Sequence, residues 1–73
     1  MPRYFFHLKD GTTHMDKDGV ELTGPDEAHK LAVINSGEVL KDLGAKFWTS
    51  DEWRLWVTDE GGATVCALQV RPE

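Results

Sequence analysis

Arg3-Tyr4-Phe5-Phe6-His7-Leu8-Lys9, closed by Asp10-Gly11, is the stretch on which the fold turns. The run is too short for a helix and sets bulky aromatic β-formers in a row, so it reads as a strand. Alternation turns Tyr4, Phe6 and Leu8 to one face and Phe5 and His7 to the other. A strand with one dry face can border solvent. This one calls for a helix beneath it and further cover above it, which makes it central in its sheet.

Working outward, Asp10-Gly11 suits a two-residue type I′ turn, whose central positions both need positive φ. The chain then folds back into a second strand over about Thr12 to Lys17. In that register Lys9 faces Thr12, Leu8 faces Thr13, His7 faces His14 and Phe6 faces Met15. Few apolar residues and several polar ones place this strand at a sheet edge. Asp18-Gly19 bends the chain again, and Val20 and Leu22 are expected to place two apolar side chains against the core.

A helix starts at Gly24-Pro25-Asp26-Glu27, where proline fits the first helical position and two carboxylates complement the positive end of the macrodipole. It runs to about Leu43, with Gly44 as the stop. At 100° per residue Ala28, Ala32, Ser36, Val39, Leu40 and Leu43 gather on the sheet-facing side, with Leu31 and Ile34 outside that stripe. Small residues in its first half permit close approach. Ser36-Gly37 costs helix propensity and marks either a bend or a close contact.

The connection Ala45 to Glu52 carries Phe47 and Trp48, expected to fold over the end of the core rather than to form a ligand clamp. Trp53 to Thr58 is the third strand, Asp59-Glu60-Gly61-Gly62 a turn, and Ala63 to Val70 the fourth strand. Trp53, Leu55 and Val57 align with Cys66, Leu68 and Val70 on the helix-covered face. Arg54, Trp56 and Thr58 share the other face with Ala63, Val65, Ala67 and Gln69. Strands one and three are the richest in aromatic and branched residues and belong in the centre. The fold class expected is therefore α+β, a two-layer ββαββ domain over residues 1–73. It has a four-stranded antiparallel sheet of order 2-1-3-4 and one helix on one face. The other order, 2-1-4-3, needs a parallel pairing of strands one and four.

Composition narrows the function classes. Seventy-three residues with 40% hydrophobic and 29% charged content form one globular domain, and a domain of this size buries only about 60% of the surface of its unfolded chain. The formal charge of −5, with basic residues scattered, argues against nucleic acid. Acidic residues cluster in Asp10 to Glu27 and Asp51 to Glu60, as a solvated rim would. One cysteine allows no intrachain disulfide. Cys66 reads as a small buried hydrophobe without a basic neighbour to activate it. No apolar segment reaches the ~20 residues of a membrane span and no signal peptide opens the chain, which leaves a cytoplasmic protein.

Two groupings could carry chemistry. The hairpin register sets His7 beside His14 with Asp16 diagonal, and two imidazoles and a carboxylate are metal-ligand types; the competing reading is a polar hairpin end, since a one-residue slip parts the pair across the sheet. His14-x-Asp16-x-Asp18-Gly19 overlays part of a calcium loop. The first ligand would be His14, and Pro25 stands where the bidentate Glu is required, so a turn explains these residues better.

Pro2-Arg3-Tyr4-Phe5-Phe6-His7, Asp10-Gly11, Gly19-Val20-Glu21-Leu22, an Ala-containing helix and Val57-Thr58-Asp59-Glu60-Gly61 together resemble a family of short bacterial domains of unknown function. The resemblance covers nearly the whole chain. It implies the ββαββ fold and brings no activity, cofactor or substrate.

Function then rests on what covers the second face, where Phe5, Trp56, Val65 and Ala67 form a patch. The expectation is a non-enzymatic interaction domain, pairing back to back with a second copy or with another protein. Trp56 and Phe5 are its anchors, with Arg54 and His7 as polar rim. No cofactor is implied, nor a nucleic-acid or membrane partner. The alternative is a small metal-binding protein or enzyme using His7, His14 and Asp16.

Overall fold

A computed structural model describes residues 1–49 and 52–73. Residues 50 and 51 of the expected connection lie outside this description. The elements follow in the order β1 (Arg3–Lys9), β2 (Thr13–His14), β3 (Val20–Glu21), α1 (Pro25–Leu43), a 3-10 segment (Gly44–Thr49), β4 (Trp53–Thr58) and β5 (Thr64–Val70). The protein is α+β, with one α-helix and an antiparallel sheet among the described residues. β1 lies between β2 and β4, and β5 pairs the far side of β4. β1 is thus central, as its two-sided apolarity requires.

Among the described residues the sheet has five strands rather than four, because β3 pairs β1 in addition to β2. β2 sets His14 against Leu8 and Thr13 against Lys9, whereas β3 sets Val20 against Tyr4 and Glu21 against Arg3. These are two ends of one interrupted strand. The expected second strand from Thr12 to Lys17 therefore shrinks to two residues. Its register moves by one residue, because Asp10-Gly11-Thr12 forms a three-residue connection in which the Asp10 N–H donates to the Thr12 carbonyl (3.2 Å) and Gly11 takes φ 97°.

Between β2 and β3 the segment Met15–Gly19 swings over the second face. Gly19 is held at φ 69°, where a Cβ would lie 2.8 Å from both the Phe5 ring and the Tyr4 carbonyl oxygen, so only glycine fits there. Arg3 ties the segment down: its guanidinium donates to the Asp18 carbonyl (2.8 Å) and to Glu21 (3.1 Å), while its N–H donates to Glu60 (3.1 Å).

α1 starts after Gly24, and Glu27 reaches back to accept the Thr23 N–H (3.0 Å). It ends where the Gly44 N–H donates to the Leu40 carbonyl. Ala28, Ala32 and Ser36 are buried against the sheet beside Tyr4, Leu22, Trp53, Leu55 and Val57, with Leu31, Val39, Leu40, Leu43 and Phe47 partly buried around them. Leu31 thus joins the core although it lies outside the expected stripe. Gly37 is exposed, with open space where a Cβ would be, so it marks no close contact. Of the pair expected to cap the core, only Phe47 packs on it; Trp48 is 68% exposed. Val20 lies at the sheet edge, exposed, while Leu22 supplies the expected burial. No helix of the described residues is long and apolar enough to cross a membrane.

Candidate functional site

The second face is divided between a covered half and an uncovered half. On the β1 side, His7 is only 4% exposed. Its Nδ1 accepts the backbone N–H of Asp16 (3.1 Å), which puts the ring proton on Nε2, where it is donated to Thr58 Oγ1 (2.9 Å). Both nitrogens are therefore spent, and Thr58 receives a hydrogen bond rather than losing a proton to the ring. This is the reverse of what nucleophile activation needs.

Asp16 is likewise consumed by structure. Its Oδ2 accepts the Phe6 N–H, and its Oδ1 accepts those of Asp18 and Gly19, all at 3.1 Å. Phe6 would present that N–H to a neighbouring strand, so the carboxylate substitutes for the missing part of the interrupted edge. Burial pushes the Asp16 carboxyl up, but the Gly19, Phe6 and Asp18 N–H groups and the neighbouring His7 together hold it below its ordinary value.

His14 does not join this group. The one-residue shift places it opposite Leu8, exposed, with Nε2 3.4 Å from Asp10 Oδ1, so the expected His7–His14 pair is not formed. Among the described residues no three His, Cys, Asp or Glu side chains converge on a metal position. Cys66 is half-buried, packed on the core from the helix side, and burial raises its thiol pKa.

The β4–β5 half of the face is different. Trp56 stands opposite His7 on one side and Ala67 on the other. The His7 ring lies 5.2 Å from it, tilted by 40°, and the Arg54 guanidinium sits 4.8 Å over its ring. Trp56, Arg54 and Val65 are half-buried, and Ala67 and Gln69 are exposed. Val65 is the extra residue where the β4–β5 register shifts beside Val57 and Thr58. Phe5 lies under Gly19 on the covered half. The five residues expected to form one patch are thus split: Phe5 lies beneath the Met15–Gly19 segment, Val65 at the bulge packs against the core, and Arg54, Trp56 and Ala67 lie beyond the segment.

Sequence reasoning set Thr58 on this face and Gly19 in a bend, but missed that Thr58 pairs with His7 and that Gly19 lies on Phe5. The signal for Gly19 was present: an aspartate three residues ahead of a glycine is a common device for folding a loop around a carboxylate.

The family model described as "Domain of unknown function (DUF6894)" matches residues 3–71. The chain belongs to this family. No curated protein and no solved structure matches it. The opening strand, the covered face of β1 and the β4–β5 hairpin of this DUF6894 domain all fall within the matched span. The resemblance to an uncharacterised domain family is confirmed to that extent.

Proposed function

We propose that this DUF6894 domain is a non-enzymatic interaction module that docks on protein through the uncovered half of its second sheet face, in the first instance on another copy of itself. The observation that carries the reading is Trp56, stacked under Arg54 and braced by His7, beside the exposed small side chain of Ala67. A ring held in one orientation by its neighbours loses little freedom on binding, and Trp and Arg are both among the residue types enriched at the energetic centre of interfaces. The non-enzymatic part rests on His7 and Asp16, the residues best suited to chemistry, whose polar atoms are engaged in holding the Met15–Gly19 segment.

Phe5 no longer counts among the anchors, since Gly19 lies on it. Arg54, Trp56 and Ala67 remain, since Val65 packs against the core. Light scattering on the intact domain and on Trp56→Glu, with circular dichroism on both, tests the reading. The substitution should lower the solution mass of a still-folded protein. An unchanged mass would set the face aside as a self-association surface.

A further inference from the structure

The two edges of the sheet are not alike. One is broken into β2 and β3, two residues each, with a carboxylate between them and charged residues around them. The other is β5, seven residues long, which among the described residues has a strand on one side only. Thr64-Val65-Cys66-Ala67-Leu68-Gln69-Val70 contains no charge and no proline. Edge strands ordinarily carry such residues to prevent pairing with another chain, and the one device here is the bulge at the Val65 end.

The direction of the unpaired backbone groups follows from the ladder. The Phe6 N–H points away from β4, toward Asp16. In an antiparallel ladder the alternate residues Phe5, His7 and Lys9 then exchange hydrogen bonds with Thr58, Trp56 and Arg54. Arg54 and Trp56 spend their backbone groups on β1, which leaves Leu55 and Val57 to bond Leu68 and Cys66. Ala67 and Gln69 therefore direct N–H and C=O outward from the free edge.

We propose that this edge pairs with the β5 edge of a second copy, antiparallel about a two-fold axis at Ala67, joining the two sheets into one. The register sets Ala67 against Ala67, Cys66 against Leu68, Gln69 against Val65 and Arg71 against Ala63. It places no charge within Thr64–Val70. Arg71 of each copy comes alongside the acidic Asp59–Gly62 turn of the other, whereas parallel pairing would set Arg71 beside Arg71. Charge thus favours the antiparallel second copy over other extended partners. The two uncovered faces would lie on the same side of the joined sheet, doubling the docking surface. The edge pairing does not itself require that surface to be used.

The test is solution mass in the Trp56→Glu background, which removes pairing through the sheet face, with circular dichroism on every variant. Trp56→Glu should keep twice the chain mass. Adding Ala67→Pro should halve it with the fold retained, because proline there removes an N–H that the ladder directs away from β4. A folded Trp56→Glu monomer overturns the edge pairing without touching the face reading, and so does a doubled mass that survives Ala67→Pro. If the proline unfolds the strand, crosslinking decides. In a Trp56→Glu, Cys66→Ser chain, Ala67→Cys should form an intermolecular disulfide on air oxidation, since the axis brings the two positions within about 5.5 Å, Cα to Cα. Thr64→Cys, set against Val70, should not. Equal crosslinking at both positions, or at neither, overturns the proposal.

Discussion

At position 16 a single carboxylate takes the place of a strand. Three backbone N–H groups converge on it, and the next residues turn around it to bring Gly19 onto Phe5. Asp16→Asn keeps the shape but puts an amide N–H₂ where one or more of these donors needs an acceptor. The variant should be destabilised at pH 7 by about 2 kcal/mol, the scale of hydrogen bonds to a charged group, measured by urea unfolding. The Asp16 carboxyl is held below its ordinary value, so its contribution is complete above the ordinary aspartate range and is lost as pH falls through the lowered one. From about pH 4 downward the parent should lose stability faster than Asp16→Asn, and the two curves should converge in acid. A constant gap would mean that the Asp16 charge contributes nothing. Sequence brought His7 and Asp16 to notice as metal ligands because residue type is what sequence displays. Their partners are backbone groups, which every residue possesses, and the turn after Lys9 sets the register that parts His7 from His14. Asp10-Gly11 is compatible with two or three connecting residues, and one residue decides which face His14 takes.

At the scale of elements, α1 was legible to its ends because both ends are written in special residues: Pro25 at its start and Gly44 after its stop. The β4–β5 hairpin was legible for the same reason, through Asp59 to Gly62, and the face shared by Trp53, Leu55, Val57 and Cys66 follows from alternation. Short strands held by pairing alone were not legible: Val20–Glu21 has no hydrophobic alternation to announce it. The fate of Trp48 was hidden likewise, since a hydrophobic residue need not be inside. The close packing of α1 leaves one cost in place. Ser36 lies under the helix with its Oγ buried and without a hydrogen-bond partner among the described residues, and Trp53 Nε1 is in the same position. Ser36→Ala removes an unsatisfied hydroxyl, keeps the small volume that close approach demands and improves helix propensity. It should stabilise the domain by about 1 kcal/mol, seen as a higher urea midpoint at an unchanged m-value. A loss of stability would mean that the hydroxyl is satisfied after all, by solvent reaching beneath the helix.

For the molecule as a whole, strand order followed from asking which strands need cover on both sides, and that question has its answer in composition. What lies over the second face did not follow, because the cover is a polar segment recruited by backbone hydrogen bonds rather than by its own hydrophobicity. The same polarity sets the charge balance. Thirteen acidic residues against eight basic ones give −5, spread over a body of 38 × 19 × 19 Å. At low salt, with a screening length of about 30 Å at 0.01 M, every charge feels the excess; near about 0.15 M, with about 8 Å, only neighbours do. Screening should therefore relieve self-repulsion in the folded state more than it weakens local pairs. Arg3–Glu21 bridges two partly exposed side chains, and such pairs contribute between about 0 and 1 kcal/mol. The thermal midpoint at neutral pH should rise by several degrees between these salt concentrations, about 4–8 °C for each kcal/mol recovered, followed by circular dichroism at one protein concentration so that assembly is held constant. A midpoint that falls instead would place the net electrostatic contribution in the local contacts of Arg3 with Asp18, Glu21 and Glu60, and would make that arginine, rather than the excess of carboxylates, the dominant electrostatic feature of the fold.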